Sequence, residues 1–324
     1  MKEVLESLLN ISFLRMDFKL GPQPSSRYMF PLGKLYMKNI WRSNFLEDQN
    51  YFQDEFGPFI LLESRFLLPE LRWLSWNNFP NIFKVSHISM RKLVILDFSR
   101  SEIRETWHGW SHIKLAENLK VLNLTGCDFH RHSDLSSHKK LEQLILQGSK
   151  CLAKIDSSIG HLKNLVFLNL RDCKNLQKLP TSWGALESLM ELLLDSTSIQ
   201  KIPEWRRMKN LKMLSLVGCI SLNKFSFVGC SASAVKLSLV GNHFNSLVEL
   251  DLSSTGIKEL PYSIGYMKKL KVLKIWRCCL TKLPSAVAML EKLKELEASG
   301  EYLTELKEIP SNIGKLPMFV VKIR

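Results

Sequence analysis

Leucine recurs along the chain in a short pattern, L-x-x-L-x-L, that returns every 22 to 26 residues, with one longer interval of 36. Because successive residues of a strand point to opposite faces, the last two leucines of each copy point one way and the residue between them points the other way. The pattern therefore predicts one short, half-buried strand in each copy. The first apolar residues of the copies are Leu71, Leu93, Leu119, Leu141, Leu165, Leu189, Leu211, Leu247, Leu270, Leu293 and Leu316.

A second pattern, close to L-P-x-S-I-G, lies between several of these strands, as in residues 260–265. Proline favours the first position of a helix, so each copy predicts a short helical turn. A period of about 20 to 29 residues with this lettering is typical of leucine-rich repeats. We therefore predict an α/β fold, a curved leucine-rich-repeat solenoid. Parallel strands line its concave face, and short helices, turns and loops form its convex face.

The repeats divide the chain into three predicted parts. Residues 1–19 form a degenerate first repeat, because Ile11, Leu14 and Met16 fit the pattern, and residues 20–68 form an irregular, aromatic-rich insertion. The solenoid occupies residues 69–324 as about 11 to 12 repeats. One repeat is cut short at residues 234–246, inside the long interval, where Leu237 and Leu239 keep the frame.

The position eight residues after the first residue of the pattern, here called the ladder position, holds a small residue that can form hydrogen bonds in nine copies. Such residues serve backbone groups where a chain leaves a strand, which predicts a structural role. Catalysis or redox sensing by these cysteines is the alternative. The predicted structural ladder comprises Cys127, Cys173, Cys219, Asn242 and Cys278, with Ser101, Ser149, Thr197 and Thr255 in equivalent places.

The outward positions of the strands are the predicted contact surface, because the fold holds these side chains in place without using them. Aromatic residues and arginine dominate the energetics of protein interfaces. The alternative is that some of these side chains lean against neighbouring strands. The predicted partner-binding residues on the concave face are Trp73, Phe167, Asn169, Arg171, Asp195, Lys274 and Trp276.

The formal net charge is +14, from 45 lysines and arginines against 31 acidic residues. Lysines recur directly before the first leucine, and stacked strands would align them in a basic rim. The rim is either a solvated edge or a docking site for an acidic protein surface. Nucleic acid is disfavoured, because no aromatic residues alternate with the lysines as in stacking platforms. The basic rim comprises Lys92, Lys140, Lys269, Lys292 and Lys315.

The sequence also indicates what the chain does not do. No apolar run reaches the ~18 residues of a membrane span, and the start lacks the apolar stretch of a signal peptide. We therefore expect a cytoplasmic protein, with the nucleus as a second compartment. The seven cysteines show no C-x-x-C spacing and the histidines no H-E-x-x-H. No metal, cofactor or enzymatic activity is expected.

Several segments go beyond a generic repeat. They are LPELRWLSWNNFP at 68–80, KLVILDFSRSEIRETWHGW at 92–110, AENLKVLNLTGCDF at 116–129, DLSSHKKLEQLILQGSKCLAKI at 134–155 and SIGHLKNLVFLNLRDCKNLQKLP at 158–180. In this order they resemble the repeat region of plant intracellular immune receptors of the TIR, nucleotide-binding, leucine-rich-repeat type. The pairing of L-R-x-L-x-W-x-x-x-P with K-L-V-x-L-D is the most specific part of the resemblance.

The resemblance implies a non-enzymatic protein-interaction module. In that family the repeats sense pathogen effectors or guarded host proteins and restrain a nucleotide switch. The chain holds no G-x-x-x-x-G-K-[ST] phosphate loop and no TIR segment. It ends inside a predicted strand, so we expect a fragment, a truncated family member or an imperfect gene model. The alternative is a stand-alone cytosolic leucine-rich-repeat scaffold that organises signalling proteins.

Overall fold

The computed structural model describes residues 12–17, 69–79, 89–104, 106–127, 129, 134–202, 208–223, 246–298, 310–315 and 320–322. These residues form one twelve-stranded, entirely parallel sheet in which every strand pairs with the next one along the chain. The predicted insertion at 20–68 lies outside them. The strands are β1 Phe13–Asp17, β2 Trp73–Asn77, β3 Ile95–Asp97, β4 Val121–Asn123, β5 Gln143–Ile145, β6 Phe167–Asn169, β7 Glu191–Leu193, β8 Met213–Ser215, β9 Glu249–Asp251, β10 Val272–Lys274, β11 Glu295–Glu297 and β12 Val320–Lys322.

The strands are aligned leucine against leucine. Leu74 pairs with Leu96, Leu96 with Leu122, and the same pairing continues to Leu273 and Leu296. Leu122, Leu168, Leu214 and Leu273 are fully buried, at 0% exposure. The predicted solenoid with a continuous aliphatic core is therefore confirmed.

The convex side carries the predicted short helices. One turn of α-helix spans Trp110–Ile113, and the described residues contain five 3-10 helices: Ser157–His161, Thr181–Ala185, Tyr262–Tyr266, Ser285–Met289 and Ser311–Lys315. Pro180, Pro261 and Pro284 stand directly before three of these helices with φ near −68°, the angle that the proline ring imposes. Proline therefore begins the return leg of the repeat, as the pattern predicts.

A left-handed residue follows each strand from β2 to β10 at the same place, seven residues after the first leucine. Glycine at Gly126, Gly148 and Gly218 has φ +70°, and six other residues have φ between 54° and 59°. The amide of this residue donates to the next repeat, as from Gly126 N to Gln147 O at 2.7 Å and from Gly148 N to Arg171 O at 2.8 Å. The parallel ladder thus continues past the strand while the chain turns.

The short repeat predicted at 234–246 lies outside the described residues except for Ser246, so it stays a prediction. Among the described residues, strand β8 pairs with β9, with Leu214 opposite Leu250. The two strands that flank the long interval in the leucine pattern are therefore neighbours in the sheet.

The left-handed position yields a test of the fold. We expect Gly148→Ala to lower the free energy of unfolding by about 1 kcal/mol, because a Cβ atom disfavours positive φ. The added carbon meets nothing closer than 3.9 Å, so crowding adds little. Denaturant unfolding measures the loss. Gly314→Ala is the control, because an added carbon there has no neighbour within 4 Å and φ is not positive. An equal loss of unfolding free energy in both variants would contradict the left-handed conformation of Gly148.

Candidate protein-interaction face

The concave face consists of three columns of outward side chains that run across the sheet. The first column precedes the second leucine of each repeat, and the register aligns Trp73, Ile95, Val121, Gln143, Phe167, Glu191, Met213, Glu249, Val272 and Glu295. The second column lies two residues later, from Ser75 to Glu297. The third lies two residues later again and includes Arg171, Asp195 and Trp276. All seven predicted partner-binding residues belong to these columns.

The beginning of the first column is apolar and partly open. The side chain of Trp73 is 42% exposed, which is unusual for a tryptophan on an ordered strand. The ring of Phe13 on β1 meets it edge to face, with 4.2 Å between centroids. Phe167, further along the same column, is half-buried. The predicted aromatic residues are therefore held in place yet accessible.

Asn169 differs from its predicted role. It is only 7% exposed, and both ends of its amide are engaged within the sheet. Its Oδ1 accepts from the backbone amide of Arg171 at 3.1 Å, and its Nδ2 donates to Gln147 Oε1 at 3.1 Å. Asn169 therefore positions the backbone of Arg171 and offers little surface to a partner.

Other acidic and amide residues of the second column make the same turn contact. Asp97, Asn123 and Asp251 each accept from the backbone amide two residues later, at 2.9, 3.1 and 2.9 Å. These contacts are Asx turns, which satisfy a backbone donor where the strand ends. This role was not predicted from the sequence. The signal for it is periodic: Asp or Asn recurs four residues after the first leucine, at Asp97, Asn123, Asn169 and Asp251.

Asp195 connects three strands. Its Oδ2 accepts from Arg171 Nε at 2.5 Å, and its Oδ1 accepts from Val217 N at 3.1 Å and from the Ser215 hydroxyl. The side chain of Arg171 stays 41% exposed, whereas that of Asp195 is 16% exposed. Asp195 thus anchors one edge of the guanidinium and leaves the rest of it toward solvent.

Lys274 lies among carboxylates on the C-terminal part of the face. Its Nζ contacts Glu249 Oε1 at 3.2 Å. Burial opposes its charge, but the hydrogen bond to Glu249 and the charges of Glu249, Asp251 and Glu297 raise the pKa of Lys274 above its ordinary value. Burial also raises the pKa of Asp251, against hydrogen bonds from Ser253 and the charge of Lys274. One lysine therefore serves several carboxylates.

Trp276 closes the third column. It is half-buried, and the guanidinium carbon of Arg277 lies 5.3 Å from its ring centroid, within cation–π range. This contact is with the next residue in the chain, and the predicted role of Trp276 in partner binding stays a prediction.

The lysines of the basic rim differ in their contacts. Lys92 Nζ contacts Glu70 Oε1 at 2.5 Å, and Lys140 Nζ donates to Asn118 Oδ1 at 2.7 Å. Lys269 and Lys292 are exposed on the coils of β10 and β11, and the backbone of Lys315 ends the last 3-10 helix. Of these contacts, only that of Lys92 joins a rim lysine to an opposite charge.

The ladder cysteines are buried and hydrogen-bonded. Each is at most 5% exposed, and each thiol donates to a carbonyl of the preceding repeat. The Sγ–O distances are 3.2 Å from Cys127 to Phe98, 3.1 Å from Cys173 to Leu146, 3.1 Å from Cys219 to Leu194 and 3.0 Å from Cys278 to Leu252. Asn242 lies outside the described residues. Because β8 pairs with β9, the repeat of Cys219 is followed in the sheet by that of Thr255.

A family model described as "Leucine-rich repeat region" matches residues 99–229. The match lies within the parallel sheet described above, which has the fold of a leucine-rich-repeat solenoid. A solved structure titled "Crystal structure of a TDR receptor" superposes with a TM-score of 0.56 at 24% identity, covering 79% of this chain and 43% of that one. A second, titled "Crystal structure of PEPR1-AtPEP1", gives a TM-score of 0.52 at 21% identity, covering 79% and 36%. Both likenesses concern the fold.

Curated relatives of this leucine-rich-repeat chain are plant disease-resistance proteins. "Disease resistance protein RPS4B" of Arabidopsis thaliana is 28% identical over 253 residues, covering 62% of this chain and 22% of the relative. "TMV resistance protein N" of Nicotiana glutinosa is 25% identical over 244 residues, covering 74% and 17%. These matches confirm the resemblance to the TIR-type receptors. The chain spans about a fifth of the length of these relatives.

The repeat fold of this chain is a protein-interaction scaffold. Within the described residues, no cluster of three or more His, Cys, Asp and Glu side chains could hold a metal ion. No helix among the same residues is long and apolar enough to cross a membrane. The expectation that the chain has no enzymatic activity stays a prediction.

Thiol reactivity tests the ladder. Burial raises the pKa of Cys173 to about 12, so its reactive thiolate is scarce at pH 8. We expect iodoacetamide at pH 8 to label the exposed Cys279 in the native protein and to spare Cys173, as read by peptide mass spectrometry. Labelling in denaturant, where both thiols react, is the control. Native labelling of Cys173 as fast as that of Cys279 would favour the redox alternative.

Proposed function

We propose that this chain is the recognition region of a plant intracellular immune receptor. Its concave face contacts a pathogen effector or a guarded host protein, and the repeats restrain the nucleotide switch of the receptor at rest. The receptor acts in the cytoplasm, with the nucleus as a second compartment. The similarity to disease-resistance proteins over 62% and 74% of the chain supports this proposal.

The observation that carries the proposal is the exposed aromatic side chain on an ordered face. Trp73 is 42% exposed although it lies on a paired strand. Aromatic residues and arginine supply most of the binding energy at protein interfaces, particularly when they are rigid. Arg171 meets the same condition, because Asp195 fixes one edge of its guanidinium. Both residues are available to a partner without rearrangement of the sheet.

The basic rim offers a second contact surface, suited to the receptor's own nucleotide-binding domain. Lys269 and Lys292 are exposed on adjacent coils, about 4.8 Å apart in the hydrogen-bonding direction of the sheet. Such a pair favours an acidic domain surface, and the attraction depends on salt. We assign the concave face to the sensed protein and this end of the rim to the nucleotide-binding domain.

The test is a binding experiment in leaf cells. The tagged chain is co-expressed with the separately encoded nucleotide-binding domain of a TIR-type receptor, and co-purified domain is quantified. We expect wild-type chain to recover the domain. Lys269→Glu combined with Lys292→Glu should reduce recovery about fivefold or more, because attraction becomes repulsion.

Leu115→Ser is the matched control, because Leu115 is 53% exposed and lies away from both surfaces. It should leave recovery unchanged. Cell death driven by an autoactive receptor lacking its repeats should also fall when the wild-type chain is supplied. Recovery of kinases or phosphatases without the nucleotide-binding domain would contradict the proposal and favour the stand-alone scaffold.

A further inference from the structure

A row of buried side chains lies three residues before the first leucine of each repeat, and the repeat of β5 departs from its chemistry. Between β3 and β11 the described members of this row are at most 2% exposed. In the repeat of β5 the position holds His138, which is fully buried at 0% exposure. Among these described members it is the one polar residue, so packing alone does not account for it. The others are Met90, Ala116, Leu162, Leu186, Met208, Met267 and Leu290.

The ring of His138 is bonded across to the preceding repeat. Its Nδ1 lies 3.3 Å from the carbonyl oxygen of Ala116, which occupies the same place in that repeat. Because a carbonyl oxygen only accepts, Nδ1 carries the proton and Nε2 is an unprotonated acceptor. Nε2 is buried and has no hydrogen-bond partner among the described residues. The contact therefore requires the neutral form of the imidazole and leaves one of its nitrogens unsatisfied.

A second proton on this ring is costly in the folded chain. It would place a positive charge in the core and add a buried N–H donor that no described residue accepts. Burial accordingly lowers the pKa of His138 below its ordinary value of 6.5, and the charge of Lys114 acts in the same direction. The hydrogen bond to Ala116 and the charge of Asp134 oppose this shift of the pKa without cancelling it.

The charged groups around the ring have other partners or lie at the surface. Asp134, in the same repeat, pairs with Lys114 of the preceding repeat at 3.8 Å. In the following repeat, Asp156 and His161 are both bonded to Ser158, at 2.8 and 3.2 Å. The other titratable side chains on the adjoining described segments are exposed or half-buried: His112, Glu117, Lys139, Lys140 and Lys163. No carboxylate among these residues is placed to neutralise a histidinium at position 138.

His138 lies at the junction between the repeats of β4 and β5. Its carbonyl accepts from Leu141 N at 2.9 Å, which closes the turn into β5. The next amide, Glu142 N, donates to Lys120 O of the preceding repeat at 2.8 Å. The imidazole and the backbone ladder therefore hold the same two repeats together, and a charge on the ring acts on this junction first.

We propose that His138 makes the stack of repeats sensitive to acid: the neutral ring, bonded to Ala116, holds the repeats of β4 and β5 together, and acidification opens this junction. In the open junction the ring reaches water and takes up a proton near its ordinary pKa of 6.5, whereas the closed junction requires a lower pH. The stabilisation is therefore complete above about pH 6.5 and is lost as the pH falls. The equilibrium constant for opening rises by up to about tenfold for each pH unit. This property belongs to the scaffold and goes beyond the proposed function.

Hydrogen exchange of the full chain, read by peptide mass spectrometry at about pH 7.5 and 5.5, tests the inference. The quantity compared is protection, the ratio of the intrinsic to the observed exchange rate. For the peptide with Leu141 and Glu142, we expect protection to fall about five- to tenfold more in the wild-type chain than in His138→Leu. Leucine fills this position in the two following repeats, so the variant removes the titrating group and keeps an apolar core. The corresponding amides of Leu293 and Lys294, at the junction of β10 and β11, should show no such difference.

A matched control and a measurement on the unaltered chain support this comparison. His161→Leu makes the same change at an exposed histidine of the next repeat and should keep the wild-type response to pH. If His138→Leu folds poorly at pH 7.5, His138→Met replaces it, because methionine fills this position before β3 and β8. Deuterium uptake at the ring C2 position of His138, followed against pH in the wild-type chain, gives the titration midpoint without any substitution. We expect this midpoint to lie below 6.5.

Three results would overturn the inference. The first is an equal loss of protection on acidification in the wild-type chain and in His138→Leu. The second is a titration midpoint of His138 at or above 6.5. The third is a response to pH that His161→Leu removes as fully as His138→Leu does. None of these measurements involves a partner, so the co-purification in leaf cells still decides the proposed function by itself.

Discussion

The structure depends on backbone hydrogen bonds between consecutive repeats, whose strands cover a buried row of leucines. No repeat pairs its strand within itself, because every strand in the described sheet has its partner in a neighbouring repeat. The bonds continue past the strands: the amides of Leu146 and Leu170 donate to the next repeat at 2.8 Å each, and the left-handed residues add another series. A single repeat would leave these buried groups unpaired, so stability is shared between neighbours.

This arrangement explains why the concave face can be rigid and yet open. The leucines and the backbone hold the sheet, while side chains such as Asn169 and Asp251 hold the turns after the strands. The first column needs no outward contact for folding. We therefore expect substitutions in this column to change the chemistry of the face at little cost in stability.

The leucine frame was sufficient to predict the sheet, its register and the buried role of Cys173, because a period of about 23 residues places equivalent residues at equivalent positions. The pattern did not predict that β8 pairs with β9, since Leu237 and Leu239 continue the leucine frame between them. Asn169 was mistaken for a contact residue because alternation gives the direction of a side chain but not its hydrogen bonds. The positive φ of Arg277 could not be predicted either, because glycine, the residue that usually marks this conformation, is absent from that position. Pairings such as Arg171 with Asp195 depend on rotamers, which the sequence does not specify.

Native-state hydrogen exchange tests most directly whether the bonds between repeats hold the face together. The amides of Leu146, Leu170, Leu194 and Leu252 each donate to the following repeat. We predict that they exchange together and about 1,000-fold or more slowly than in an unstructured peptide, because exchange requires cooperative opening of neighbouring repeats. Exchange at unprotected rates in two adjacent repeats, with the rest of the chain folded, would contradict the account.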